Sequence, residues 1–118
     1  EKLILAVPYY GYDWPVSNAG VSAQVTESRE EVRALTYGEI IAATQKSKIN
    51  WQEDTLTPWY AYREDNILRV VHFENVRSLG IKYDYINEKN LKGVGIWALG
   101  FDGKTSELTQ LLIDKFSQ

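Results

Sequence analysis

Aromatic side chains and one carboxylate are the groups of this 118-residue sequence whose types and spacing could do chemistry. One cluster surrounds Asp13 and places four aromatic residues within six positions: Tyr9, Tyr10, Tyr12 and Trp14. A second candidate is Trp97, in the apolar run from Val94 to Leu99. Rings at a rim bind sugars through their C–H faces, while sugar hydroxyls find polar partners. The same pattern is typical of core packing, which pattern alone favours for Trp97.

Composition argues against several classes of function. The 13 basic and 16 acidic residues form no basic cluster that would follow a phosphate backbone, so no nucleic-acid partner is expected. The absence of cysteine excludes disulfides and cysteine-based metal sites or nucleophiles. We predict no metal and no cofactor. No apolar run is long enough to predict a membrane span.

His72 is the single histidine of the sequence and has two interpretations. A pKa of about 6.5 would suit a general base near neutral pH. However, no serine or cysteine lies in a recognisable nucleophile turn, and no second metal ligand is near in the sequence. A structural role is the preferred prediction.

The first third of the chain predicts one strand followed by irregular segments. The apolar run Leu3 to Val7 is typical of a parallel strand buried on both faces, and Pro8 is expected to end its pairing. The aromatic segment from Tyr9 to Trp14 is predicted to be a loop. Residues 15 to 34 are predicted to be an irregular excursion with a weak strand candidate at Val21 to Thr26.

The middle of the chain predicts a helix and a hairpin. Thr36 and Glu39 form the pattern of a capping box, which predicts a helix from Tyr37 to Lys46. Residues Asn50 to Thr57 are predicted to be a loop. Alternating residues then predict two strands around a turn at Glu64 to Asn66. These strands run from Thr57 to Arg63 and from Ile67 to Phe73.

Two more helices are predicted around the strand that ends at Trp97. Asn75 can cap the first helix, and Thr105 or Ser106 can cap the second, which follows Gly103. Each helix has an apolar stripe at helical spacing. The stripes are Val76, Leu79, Tyr83 and Ile86 in the first helix, and Leu108, Leu111, Leu112 and Phe116 in the second.

Several separate motifs, read in order, carry a family resemblance. They cover nearly the whole chain: Lys2 to Gly11, Tyr10 to Trp14, His72 to Ser78 followed by Lys82 and Tyr83, and Gly93 to Gly103. This order resembles the C-terminal part of family 18 glycoside hydrolases, the chitinase-like enzymes. It is particularly similar to bacterial members related to spore-cortex and cell-wall lysins.

The resemblance implies an α+β fragment of a larger catalytic domain. A small antiparallel sheet with a helix, the chitinase insertion domain, would be attached to the last strands and helices of a TIM (β/α)8 barrel. Residues 1–13 would form barrel strand seven and its loop, residues 14–73 the insertion, and residues 74–118 a barrel helix, strand eight and the final helix. The remainder of the barrel, in a longer parent protein, would be a partner.

The resemblance also implies a substrate-binding site without its catalytic group. Trp97 matches the floor of the sugar subsite where cleavage occurs, and Tyr10 matches an aromatic residue of the same cleft. Tyr12 stands where many chitinases have a sugar-contacting arginine, and Asp13 is a further candidate contact. The family's acidic signature, Asp-x-x-Asp-x-Asp-x-Glu, is absent from this sequence, and no residue of the chain is predicted to be catalytic.

A parent protein would therefore hydrolyse β-1,4-linked N-acetylglucosamine-containing glycans, chitin or peptidoglycan, by substrate-assisted retaining hydrolysis. The chain alone is expected to be inactive. A secreted, cell-wall or envelope location follows from the resemblance. One alternative is a non-catalytic carbohydrate-binding module or chitinase-like lectin whose aromatic residues hold sugar: Tyr9, Tyr10, Trp14, Trp59 and Trp97. Another is an interaction fragment that pairs through exposed strand edges.

Overall fold

Two sheets and three helices form the α+β fold within residues 2–20, 22–26 and 32–117, the part of the chain that the computed structural model describes. The strands are β1 (Ile4–Pro8), β2 (Tyr10–Pro15), β3 (Arg33–Thr36), β4 (Asn50–Gln52), β5 (Thr57–Glu64), β6 (Ile67–His72) and β7 (Gly93–Trp97). The helices are α1 (Tyr37–Thr44), α2 (Val76–Glu88) and α3 (Glu107–Phe116).

The smaller sheet is a parallel pair of β1 and β7. Its register runs from Ile4 opposite Gly93 to Pro8 opposite Trp97, so Pro8 is the last paired residue of β1. Helices α2 and α3 pack together on this pair, and the predicted apolar stripes contribute to their core, except for Val76, which is 38% exposed. The buried members of this core are Val7, Tyr9, Tyr37, Leu79, Tyr83, Ile86, Leu108 and Leu111. No helix in the described ranges is long and apolar enough to cross a membrane.

The larger sheet is antiparallel, with the strand order β3-β2-β6-β5-β4. Strands β5 and β6 form the predicted hairpin, whose turn residues Asp65 and Asn66 have φ angles of 51° and 64°. Left-handed φ angles at both positions match the twist of a two-residue hairpin turn. The hairpin prediction is therefore confirmed.

The starts of α1 and α2 follow the predicted capping patterns, whereas Ser106 precedes α3 without a side-chain capping bond. The Thr36 side chain accepts a hydrogen bond from the Glu39 N–H, while the Glu39 carboxylate accepts one from the Thr36 N–H. Asn75 and Ser78 make the equivalent pair at α2. These bonds satisfy N–H groups that a helix start leaves without partners. Helix α1 ends at Thr44, two residues before the predicted end.

Three predictions about short segments are wrong. The aromatic segment is not a loop, because Tyr10–Pro15 is β2 and pairs with strands on both sides. Strand β4 lies in the predicted loop at Asn50 to Thr57. Strand β3 begins at Arg33, near the end of the predicted excursion, and continues two residues beyond it. In the weak strand candidate, an isolated bridge joins Val16 to Val25, and Val21 lies outside the described residues. Short strands have too few residues for a clear alternation.

The structure differs from two further predictions, the burial of the first strand on both faces and the division of the chain after residue 13. Ile4 and Ala6 are exposed, whereas Leu5 is partly buried and Val7 is buried, so the strand predicted to be buried on both faces is covered by this chain on one face only. Strand β2 crosses the predicted division between residues 13 and 14, because its pairing in the larger sheet already begins at Tyr10. The division into barrel and insertion segments stays a prediction.

Candidate functional site

A cleft of about 360 Å³ opens where the end of β7 meets the edge of the larger sheet. Trp97 contributes its ring from the last position of β7 and is 69% exposed, so the core interpretation favoured by pattern alone is wrong. The residues that line this cleft are Tyr10, Tyr12, Ala34, Leu35, Thr36, Trp97 and Phe101. Three residues of the predicted site, Tyr10, Tyr12 and Trp97, are thus brought together.

Backbone hydrogen bonds hold the two sides of the cleft in place. The Tyr9 N–H donates to the Trp97 carbonyl at 2.8 Å, and the Tyr9 carbonyl accepts from the Tyr37 N–H at 2.9 Å. The Gly38 N–H donates to the Phe101 carbonyl at 2.9 Å. These bonds tie the segment after β7, where the Trp97–Ala98 peptide bond is cis, to β2 and α1.

Close backbone contact explains the glycine at the start of α1. A Cβ atom on Gly38 would lie 3.1 Å from the Gly103 Cα and 3.2 Å from the Asp102 carbonyl oxygen. Tyr37, next to it, is buried, and its hydroxyl donates a hydrogen bond to Glu107 of α3. Burial, followed by this hydrogen bond, raises the pKa of Tyr37, so the hydroxyl stays a donor. The turn beside Trp97 is therefore packed against α1.

The rings on β2 form a continuous contact along one face of the strand. The Tyr10 and Tyr12 ring centroids are 5.8 Å apart in an edge-to-face arrangement, and those of Tyr12 and Trp14 are 5.9 Å apart. Alternate residues of a strand point to the same face, which places these three rings together. Tyr12 is 45% exposed and is available to a ligand.

Asp13 points to the opposite face of β2 and does not enter the cleft. Its side chain is 1% exposed, and one carboxylate oxygen accepts a hydrogen bond from the Arg69 Nε at 2.7 Å. The other oxygen accepts from the Tyr62 hydroxyl. Burial, with this hydrogen bond, raises the pKa of Tyr62. The predicted contact of Asp13 with sugar does not fit this position, because its oxygens are buried and occupied inside the larger sheet.

The lining of the Trp97 cleft contains no carboxylate among the described residues. Glu74 is buried elsewhere, where one oxygen accepts a hydrogen bond from Lys82 and the other has no partner within the described ranges. A general acid must lie within hydrogen-bond reach of the proton it transfers. No group of three or more potential metal ligands occurs in the described part of the chain. The described lining of the cleft therefore offers aromatic rings and hydroxyl groups but no carboxylic acid.

His72 belongs to the ring-bearing face of the larger sheet. It pairs with Tyr12 on one side and Trp59 on the other, and its ring stacks on Trp59 with a centroid distance of 6.4 Å. Burial lowers its pKa, which favours neutral imidazole near pH 7. Its stacking agrees with the preferred structural interpretation.

Sequence reasoning missed part of the cleft wall. Thr36 was recognised only as a helix cap, and Phe101 only as part of a turn motif. Ala34 and Leu35 lie in β3, which was not predicted. The available signal for Phe101 was its position four residues after Trp97, inside the turn that starts at Gly100.

Comparison with known proteins places these features in a family context. The model described as Glycosyl hydrolases family 18 matches residues 1–102. The cortical fragment-lytic enzyme of Bacillus subtilis (strain 168) is 29% identical over 120 residues, covering 99% of this chain and 26% of that enzyme. The spore cortex-lytic enzyme SleL of Bacillus megaterium QM B1551 is 27% identical with a TM-score of 0.71, covering 96% of this chain and 25% of that one.

A chitinase structure supports the fold. A mutant family 18 chitinase from Cycas revoluta in complex with (GlcNAc)4 has a TM-score of 0.80 at 23% identity, covering 95% of this chain and 32% of that one. The predicted α+β fold, with its small antiparallel sheet and terminal barrel elements, is confirmed. The chain spans between 25% and 32% of the length of these three relatives.

Proposed function

The chain belongs to glycosyl hydrolase family 18, and we propose that it forms the substrate-subsite floor and one cleft wall of a glycosidase that acts on N-acetylglucosamine-containing glycans. The observation that carries this proposal is the exposed Trp97 ring, which lines one cleft together with Tyr10 and Tyr12. A flat apolar floor beside phenol hydroxyls suits a sugar, whose ring has C–H faces and polar edges.

The proposed reaction is retaining hydrolysis assisted by the substrate itself. The N-acetyl oxygen of the bound sugar attacks the anomeric carbon and displaces the leaving oxygen, which a glutamate of the parent protein, outside this chain, protonates. Water then attacks the anomeric carbon, gives a proton to the same glutamate and releases the N-acetyl oxygen, so the configuration is retained. The part played by this chain is positioning: Trp97 supports the sugar at the reacting subsite, and Tyr10 limits its lateral movement. Correct orientation of the reacting groups accounts for a large share of a catalytic barrier.

The substrate class that we propose is chitin or peptidoglycan. Tyr12 stands where many chitinases have an arginine that contacts sugar. Because this contact differs from the chitinase pattern, peptidoglycan or a short aminosugar chain is a candidate substrate beside long chitin. The names of the two Bacillus relatives refer to lysis of spore cortex. We therefore propose an extracellular, cell-wall or envelope location for the parent protein.

The decisive experiment compares the 118-residue chain with its parent protein on N-acetylglucosamine oligomers and purified peptidoglycan. We expect turnover by the parent only. Trp97→Ala in the parent should lower kcat/KM by about 10²-fold, the loss typical of a misplaced substrate. Tyr85→Ala is a matched control, because it removes a 49% exposed ring from α2, outside the cleft lining. Turnover by the isolated chain, or an unchanged rate after Trp97→Ala, would contradict the proposal.

A non-catalytic carbohydrate-binding protein is the second candidate. The exposed rings of the cleft support it, since binding needs only the rings. Tyr9 does not take part, because it is buried in the core, and the available rings are those of Tyr10, Trp14, Trp59 and Trp97. A parent that binds the oligomers without hydrolysing them would support this candidate.

A further inference from the structure

We propose that the Tyr37 hydroxyl and the Glu107 carboxylate are a positioning pair, which fixes the orientation of one wall of the Trp97 cleft. We call these two residues the wall pair. The lining of the cleft includes neither of them, so the pair acts through the lining residues Thr36 and Phe101. This inference rests on the proposed function of the cleft and adds to it two residues that do not touch the sugar.

Helix α1, where the wall pair begins, is shared by the two cores of the molecule. Tyr37 is a buried member of the core that α2 and α3 form on the parallel pair. Ile40, three residues later, is buried in the core of the larger sheet. Residues three apart are neighbours on the surface of a helix. The position of α1 therefore determines how the larger sheet is oriented relative to the parallel pair.

Two hydrogen bonds attach the segment from Phe101 to Glu107 to the start of α1. The Gly38 N–H donates to the Phe101 carbonyl at 2.9 Å, and the Tyr37 hydroxyl donates to the Glu107 carboxylate. One hydrogen bond allows a segment to rotate about it, whereas a second attachment at the other end fixes its orientation. The wall pair therefore restricts a rotation of Phe101 that the Gly38 bond alone permits.

Backbone bonds connect the wall pair to the Trp97 side of the cleft as well. The Tyr37 N–H donates to the Tyr9 carbonyl at 2.9 Å, and the Tyr9 N–H donates to the Trp97 carbonyl at 2.8 Å. Thr36, which lines the cleft, directly precedes Tyr37 in the chain. Three lining residues, Thr36, Trp97 and Phe101, are thus connected to the start of α1.

Each member of the wall pair also has a simpler role in folding. Tyr37 is 2% exposed, so its ring fills the core. Glu107 is an exposed residue in the first turn of α3, where a negative charge is favourable. The bond between them is a hydroxyl bonded to a carboxylate, which is stronger than a bond between neutral groups. Substitutions that keep the ring, or keep an acceptor without the charge, separate positioning from these roles.

The first test is the steady-state kinetics of the parent protein with a hexasaccharide of N-acetylglucosamine. Tyr37→Phe keeps the buried ring and removes the hydroxyl. We expect kcat to fall about five- to tenfold with KM changed less than about twofold, because Trp97 still supports the sugar while its orientation is less fixed. Glu107→Ala should cause a similar loss. The double variant should lose no more than either single variant, since both remove the same bond.

The conservative variant Glu107→Gln distinguishes the bond from the charge. Its amide oxygen can still accept from the Tyr37 hydroxyl, so it should recover most of the kcat lost in Glu107→Ala. A glutamine variant as slow as the alanine variant would show that only the charge at the start of α3 matters, which would overturn the inference. Asp114→Ala is the matched control, because it removes an exposed carboxylate of α3 that bonds to Gln110, and it should not change kcat.

Hydrogen exchange of the parent protein, followed by mass spectrometry, reads the wall pair without using activity. In Tyr37→Phe, the peptide that contains the Tyr37 and Gly38 amides should exchange faster, while the β5–β6 hairpin keeps its rate. Faster exchange throughout the chain, or a fall in Tm that accounts for the lost rate, would indicate general destabilisation and overturn the inference. Faster exchange at α1 with an unchanged kcat would also overturn it.

Comparison with Trp97→Ala separates this inference from the proposed function. If Trp97→Ala slows the reaction and Tyr37→Phe does not, the cleft proposal stands and the wall pair is refuted. If Trp97→Ala leaves the rate unchanged, the proposed function itself fails. Slower turnover in both variants, with recovery in Glu107→Gln, is the result that we expect.

Discussion

The two sheets differ in how completely this chain covers them. The larger sheet has a closed interior, where Asp13 and Arg69 are each 1% exposed and Tyr60 is 2% exposed. The parallel pair leaves Ile4 58% exposed, and Leu99, two residues after β7, is 101% exposed. Parallel strands are normally covered on both faces. The strands of the larger sheet thus pair and pack within about sixty residues of chain, whereas the parallel pair of β1 and β7 leaves apolar side chains exposed.

This difference separates what the two regions do. The larger sheet has its own core and a hairpin with local pairing. Contacts within this sheet and with α1 therefore position its aromatic rings. The parallel pair delivers Trp97 to the cleft and depends on α2, α3 and backbone bonds to Tyr9 for its position. We propose that the rest of a barrel covers the exposed face of this pair.

The largest expected effect comes from breaking the ion pair inside the larger sheet. Arg69→Ala should lower the free energy of unfolding by about 3–5 kcal/mol, because it leaves the Asp13 carboxylate charged and buried. Arg33→Ala is the matched control, since its pair with Glu64 is 46% and 45% exposed and should contribute less than about 1 kcal/mol. Urea unfolding followed by tryptophan fluorescence measures both. Equal losses would show that this interior is not closed.

A second comparison uses one glycine from each sheet. A Cβ atom on Gly11 of β2 would lie 2.4 Å from the His72 carbonyl oxygen, so Gly11→Ala should cost about 1–3 kcal/mol through overpacking. A Cβ atom on Gly93 of β7 would have no heavy atom within 4 Å, so Gly93→Ala should change the free energy of unfolding by no more than about 0.5 kcal/mol. Thermal unfolding of the two variants checks this. A larger loss for Gly93→Ala would reverse the contrast.

The smallest expected effect concerns the exposed side of the parallel pair. In the 118-residue chain, Ile4→Ala should change the free energy of unfolding by no more than about 0.5 kcal/mol. Val7→Ala, on the covered side of the same strand, should cost about 1.5 kcal/mol for two buried carbon groups. In the parent protein the cost of Ile4→Ala should rise to about 2 kcal/mol or more. A cost that stays the same in the parent would argue that no barrel covers this face.

Local signals explain which parts of the fold were predictable. The capping residues Thr36 and Asn75 act on groups three residues away, and the β5–β6 hairpin closes through a two-residue turn, so short stretches contain the required information. The segment that forms β2 was predicted to be a loop because its pairing partners are distant in sequence. They lie in β3 and in β6, the latter more than fifty residues away. Its aromatic residues and glycine also suited a loop.

The candidate site was predictable in composition but only partly in geometry. Motif order identified Tyr10, Tyr12 and Trp97 as members of one site, and the structure brings them into one cleft. Asp13 was included because it is their sequence neighbour. A strand sends neighbours to opposite faces, and the assignment of each face depends on pairing that a linear pattern does not contain.

The sequence alone therefore determined the family, the helix starts, the hairpin and the aromatic content of the site, because each depends on residue identity over short distances. The tertiary structure decided that Trp97 is exposed, that Asp13 pairs with Arg69 across 56 positions, and that one face of the larger sheet stays open. These outcomes depend on which distant strands pair and which face a helix covers. Long-range packing, rather than local preference, sets the strand pairing and the face that the helix covers.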